Sequence, residues 1–222
     1  HFTINLPWMP TLHDTIIVEH IMTTLLTTKL RIPALPSKHV ERSHLIQRLN
    51  AGLLVGHHII LVSAPAGFGK TVCISEWAKM LTEPVAWLSL ESADDDPGRF
   101  FTYFIAALQN IDTQIAHEID GILRAGQLPP EEIISSTLIN DILNINKRFL
   151  LVLDDFQMVQ DVYILTVLEK LIANQPETLF LVLLTREDPS LPLARLRANN
   201  QMTEIRAGDL RFTTSETEQF LE

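Results

Sequence analysis

A single cysteine, Cys73, stands among the 222 residues of this chain. It cannot close an internal disulfide or furnish a cysteine zinc site, which fits a reducing, cytoplasmic setting. Cations are also scarce, with 17 Lys and Arg against 27 Asp and Glu and a net charge of −10. Grip on nucleic acid or an anionic membrane rests largely on cationic neutralisation, so this stretch is not expected to bind either by itself. A basic partner domain outside the chain would have to do so. Long apolar runs are missing too: residues 149–153 and 179–184 are far too short to span a bilayer. Residues 1–20 lack a basic segment followed by an apolar one and do not read as a signal peptide. There is no internal repeat and no low-complexity tract. What is abundant is core material, since 46% of residues are hydrophobic and only 20% charged, which excludes wholesale disorder.

The chain opens on His1 and stops at Glu222, inside a segment from 214 that has just begun to look helical. Ser215 and Glu218 have capping-box spacing for that helix. Met22 opens the more regular text and is expected to be a natural start, with residues 1–21 being upstream or added sequence. Mass spectrometry of the protein made from its native gene checks this expectation.

Between those ends, strands and helices alternate. Pro33 and Pro36 mark an extended entry before a helix over 41–51, capped by Ser43 or the residues just before it. Apolar runs at 59–63, 149–153 and 179–185, with 84–90, read as four strands, the apolar ones buried on both faces. Helical stripes cover 70–81, 130–146 and 161–173, and another begins at Pro97, which sits where a helix first turn has no N–H to satisfy, and carries Phe100, Phe101, Phe104 and Leu108. The expected fold is therefore a three-layer α/β domain, with a mainly parallel sheet covered by helices on both faces. Ligands of such sheets bind at the carboxyl ends of the strands.

After the first strand comes Ala64-Pro65-Ala66-Gly67-Phe68-Gly69-Lys70-Thr71, followed by Val72. This is the G-x-x-x-x-G-K-[ST] phosphate loop with Ala64 in place of the first glycine. Gly67 and Gly69 permit conformations that aim successive N–H groups at a polyphosphate, and the helix behind adds its positive dipole end. Lys70 would reach the β- and γ-phosphates and Thr71 would hold Mg²⁺. An alanine at position 64 is tolerable if its backbone stays at negative φ. The plainer alternative is an ordinary glycine-rich turn, which the strand-loop-helix context disfavours.

The third strand ends in Asp154 and Asp155. Adjacent acids at a buried strand end repel, so a nearby cation is the simplest reason for them. Asp154 is the candidate Mg²⁺ ligand, and Asp155 is placed to orient or deprotonate a water. A solvated turn capping the next helix is the alternative. Arg186, after the fourth strand, is positioned to sense a γ-phosphate, or else to pair with Glu187 or Asp188.

Taken in order, these motifs resemble the signal-transduction NTPases with numerous domains (STAND), and more narrowly the large ATP-binding LuxR-type regulators typified by the maltose-regulon activator. The matches are Thr28-Lys-Leu-Arg-Ile-Pro33, Val40-Glu-Arg-Ser43, the loop 63–71, Val85-Ala-Trp-Leu-Ser-Leu90, Leu153-Asp-Asp-Phe156, Leu193-Ala-Arg-Leu-Arg197 and Asp209-Leu-Arg-Phe212, covering residue 24 to the end. The resemblance implies an ATP-dependent switch with Mg²⁺, possible ADP in the resting state, and self-association of the full-length ATP-bound form. It also implies that Val40 and Arg42 lie near the nucleotide; a solvated helix-start arginine is the alternative for Arg42. The family often has histidine two positions after the acid pair, where this chain has Gln157, so no role for that histidine carries over. Family members continue into helical, sensor and DNA-binding modules beyond the first helix after Phe212. The implied division is 22–58 as entry segment and helix, 59–212 as NTPase core, and 213–222 as the start of a downstream module.

Other features read as structural: the acidic loop 92–96 before a proline-started helix, the His57-His58 junction, Trp87 in the core and Cys73 as packing. Two rivals to a slow switch stay open. One is a fast-turnover ATPase or phosphotransferase, and the other a nucleotide-binding scaffold that does not hydrolyse.

Overall fold

The computed structural model describes residues 25–221. The expectations about residues 1–21 and Met22 lie outside that range. Five parallel strands form one sheet in the order β2-β3-β4-β1-β5: β1 Ile59–Ser63, β2 Val85–Ser89, β3 Phe149–Asp154, β4 Leu179–Thr185 and β5 Met202–Arg206. Every residue of β1, β3 and β4 is buried. Their side chains alternate between two cores, as the period of a strand requires. Ile59 and Leu61 face one core with Leu151, Leu153, Leu181 and Leu183; Ile60 and Val62 face the other with Leu150, Val152, Val182 and Leu184.

The first core is closed by α3 (Pro97–Gln109), α4 (His117–Arg124), α5 (Glu131–Leu143) and α6 (Val162–Ala173), and the second by α1 (Ser43–Leu54) and α2 (Lys70–Met80). Two shorter helices, α7 (Leu193–Ala198) and α8 (Thr214–Leu221), flank β5 in sequence. These are the three layers expected. Phe100, Phe101, Phe104 and Leu108 of α3 are all fully buried, and Pro97 occupies its first turn with Asp96 as cap.

Several expectations need correction. Helix α1 starts at Ser43, runs to Leu54 and has no side-chain cap, because its N-cap position is Arg42 and the Ser43 hydroxyl bonds Glu41 instead. The strand expected over 84–90 spans Val85–Ser89, and the helix expected over 130–146 spans Glu131–Leu143. At α8 the reciprocal box is Thr213 with Glu216, not Ser215 with Glu218: the Thr213 N–H donates to Glu216 Oε2 at 2.8 Å and the Glu216 N–H to Thr213 Oγ1 at 3.3 Å. Strand β5 and helix α4 were not expected at all.

The acidic loop is structural throughout. Asp94, fully buried, pairs with Lys29 and, at 2.9 Å, with Arg99; Asp95 accepts from the Gln160 and Asp161 amides; Asp96 caps α3. Lys29 also lies 4.3 Å over the Tyr103 ring, so it anchors the entry segment to β2 and α3. Among the described residues no group of three or more His, Cys, Asp or Glu could hold a metal, and none of the helices is long and apolar enough to cross a membrane.

Candidate functional site

The parallel register brings the strand ends to one edge. Ser63 of β1 lies opposite Thr185 of β4, and Leu153 of β3 opposite Leu183 of β4. The loop after β1, the acids ending β3 and Arg186 after β4 therefore emerge side by side. Because β4 lies between β1 and β3, Arg186 stands between the loop and the acids.

Ala64 is buried and is not among the residues with positive φ, whereas Gly67 and Gly69 sit at φ 83° and 78°. An added Cβ at either glycine would meet nothing within 4 Å, so backbone conformation and not space demands glycine there. Pro65, Ala66 and Gly67 are exposed, which leaves the loop open to a ligand. Helix α2 starts at Lys70 with Gly69 as its N-cap, and its first N–H groups are free of side-chain caps. Lys70 is buried; its Nζ donates to the carbonyls of Ala64 at 2.7 Å and Pro65 at 3.2 Å. Burial lowers its pKa, against the opposing pull of Asp155.

The Thr71 hydroxyl donates to Asp154 Oδ1 at 3.1 Å, so the two groups expected to share a cation are in contact. Asp154 is 5% exposed, and burial pushes its carboxyl up to about 6, with the Asp155 charge adding to the rise and Thr71 opposing it. Oxygen donors with a disfavoured negative charge suit a hard divalent cation, so these residues fit Mg²⁺. Asp155 is half-exposed in a left-handed conformation at φ 57°. Its Oδ1 accepts from Gln157 Nε2 at 2.7 Å, and the Arg186 guanidinium lies 3.9 Å away. Arg186 thus faces Asp155; Asp188 pairs with Arg197 and Arg206. Gln157 also accepts from the Arg186 backbone N–H at 3.1 Å, joining the ends of β3 and β4.

A cavity of about 340 Å³ opens beside the loop, walled by Val40, Arg42, Phe68, Val72, Leu210 and Phe212 among others. Its size and largely apolar wall suit a small organic ligand. Val40 and Arg42 are both buried. Arg42 is not a solvated helix-start arginine. Its Nε donates to Glu216 Oε1 at 3.0 Å, its Nη2 to the Arg211 carbonyl at 3.1 Å, and its guanidinium lies 4.9 Å over the Phe212 ring. Burial pushes the Glu216 carboxyl up, but the Thr213 amide and Arg42 outweigh it and the net shift is downward. The wall from 210–212 was invisible to local pattern reading. Cys73, also on the wall, has its thiol pushed up to about 11 by burial, as a packing residue would.

No family model matches the chain. It is similar over 198 residues, 89% of its length, to the HTH-type transcriptional regulators MalT of Cronobacter sakazakii (31% identical) and Klebsiella pneumoniae (29% identical). The chain spans only 22% of the length of either relative. Among solved structures, a Walker-type ATPase of Pyrococcus abyssi matches with a TM-score of 0.54 at 11% identity, covering 86% of this chain and 60% of its own. The Cdc6p protein of Pyrobaculum aerophilum matches with a TM-score of 0.53 at 15% identity, covering 82% and 49%. These structural likenesses speak for the fold alone.

Proposed function

We propose that the chain is a P-loop NTPase domain of the STAND class, the ATP-binding, slowly hydrolysing switch of a transcriptional regulator. The observation that carries the reading is the gathering of Lys70, the Thr71–Asp154 contact, Asp155 and Arg186 at one sheet edge, beside a cavity sized for a nucleoside. In this reading Lys70 exchanges the carbonyls of Ala64 and Pro65 for the β- and γ-phosphate oxygens, and the amides of 67–72 cradle the chain of phosphates. Thr71 and Asp154 would hold Mg²⁺. When bound, the ion neutralises charge on the phosphate oxygens. Asp155, steadied by Gln157, orients an attacking water and takes its proton, while Arg186 turns from Asp155 to the γ-phosphate.

Arg42 gives the switch its outlet. It walls the base cavity and holds the first turn of α8, so occupancy of the cavity and the seat of the next helix share one side chain. We take 22–58 as the entry segment and helix, 59–212 as the NTPase core and 213–222 as the start of a following module. ADP would occupy the resting state, and ATP would favour self-association of the full-length protein in the cytoplasm. DNA contact would fall to another part of that protein, since this chain carries a net charge of −10. The similarity to MalT regulators supports this assignment.

The test is a titration with Mg·ATP and with ADP, followed by phosphate release. The expected result is Mg²⁺-dependent ATP binding with turnover well below about one per second, the low end for kinases. Turnover well above that favours a phosphotransferase or motor. Equal affinity for both nucleotides without turnover favours a scaffold.

A further inference from the structure

The base end of the cavity holds a side-chain pair that the phosphate chemistry does not use. His39 lines the cavity, and its Nε2 lies 3.6 Å from Glu76 Oε1. Glu76 stands on α2 one turn beyond Cys73, another wall residue, and its side chain is only 5% exposed. Among the described residues no donor reaches Glu76 Oε2. A carboxylate buried with an unmatched oxygen is costly, so an imidazole N–H turned toward it is favoured. The neighbouring anion favours the imidazole tautomer with its proton on Nε2, which leaves a lone pair on Nδ1.

Purines differ at the edge such an acceptor can read. Adenine offers an exocyclic amine donor, where guanine and hypoxanthine offer a carbonyl acceptor. We propose that His39, positioned by Glu76, is a specificity-determining residue that selects adenine over 6-oxopurines by accepting a hydrogen bond from the exocyclic amine. The inference rests on the cavity being the base end of the nucleotide site. An oxygen at that position meets the Nδ1 lone pair, so the wrong base both loses a hydrogen bond and leaves two acceptors facing each other.

The experiment measures dissociation constants of Mg·ATP and Mg·ITP at pH 8 on the whole chain. Wild type, His39→Ala, His39→Phe, Glu76→Gln and Lys70→Ala are compared. Wild type is expected to prefer ATP by about tenfold, the size of a good hydrogen bond set against its unmatched counterpart. Both His39 variants are expected to bring the two ligands within about threefold, with ITP affinity held near the wild-type value by the intact phosphate loop. Glu76→Gln should narrow the preference as well. Because removing His39 leaves buried Glu76 facing no N–H, affinities are compared below each variant's own melting transition, and the ATP-to-ITP ratio rather than absolute affinity is read. A preference unchanged in His39→Phe would mean that the ring only packs against the base, and would overturn the proposal. A wild-type ratio near one would also overturn it. Loss of both ligands in Lys70→Ala but not in His39→Ala separates the two sites' roles. Failure of wild type to bind either triphosphate would instead remove the nucleotide reading on which the inference stands.

Discussion

Replacing Asp154 by asparagine should stabilise the protein while removing its use for Mg²⁺. The Asp154 carboxyl is raised by burial from its usual 3.8 to about 6. Each pKa unit is about 1.4 kcal/mol, so above pH 6 the ionised side chain disfavours the folded state by on the order of 3 kcal/mol. The sign follows from proton counting. Between about pH 4 and 6 the native protein keeps a proton that the unfolded chain has released, so stability falls as pH rises through that window and is level above it. Asparagine carries no charge, and its Oδ1 can still accept from the Thr71 hydroxyl and the Asp155 N–H. In metal-free buffer at pH 7.5, Asp154→Asn should therefore melt above wild type. The ceiling is roughly 6–12 °C for a chain of this size. At pH 5 roughly half of the difference should remain. Scanning fluorimetry or calorimetry at the two pH values reads this directly. A variant that melts at or below wild type at pH 7.5, or a gap that does not narrow at pH 5, would refute the reasoning. Wild type with Mg·ATP should recover stability that the variant cannot.

Further outcomes follow from the same geometry. Gly69→Ala should lose about 1–2 kcal/mol by thermal melting, the penalty of a left-handed alanine, and should bind Mg·ATP weakly because the loop amides turn away. Arg42→Ala leaves Glu216 buried without its guanidinium and should cost about 3–5 kcal/mol. Hydrogen exchange should show the loss concentrated in α8. Gln157→Ala frees Asp155 from its bond at 2.7 Å, and single-turnover phosphate release should slow while ATP affinity stays unchanged. A fall in affinity instead would place Gln157 at the nucleotide.

Strands β1, β3 and β4 were legible almost to the residue because burial on both faces makes them unbroken apolar runs. Strand β5 hid because it lies at the sheet edge, where Met202-Thr-Glu-Ile-Arg206 can carry charged residues. Helix α4 is eight residues long, and its left-handed N-cap Ala116 gives no capping signal. At α8 the two candidate boxes, 213/216 and 215/218, fit the same pattern. The choice falls to Glu216, whose second oxygen is taken by Arg42, 174 residues away. The phosphate loop could be read because its chemistry is local to eight residues. The cavity beside the loop draws its walls from 36–42, 67–73 and 210–212, and no local window contains that juxtaposition.

The central claim is that this edge binds a nucleotide through Lys70. Its most direct test is a thermal-shift titration with Mg·ATP on wild type and Lys70→Ala. At a hundredfold excess over Kd, ligand adds about 2.7 kcal/mol, roughly 5–11 °C at this chain length. The account predicts that shift in wild type and its disappearance in the variant. A wild-type protein that melts cooperatively with no shift, or a shift of equal size in both, would contradict it.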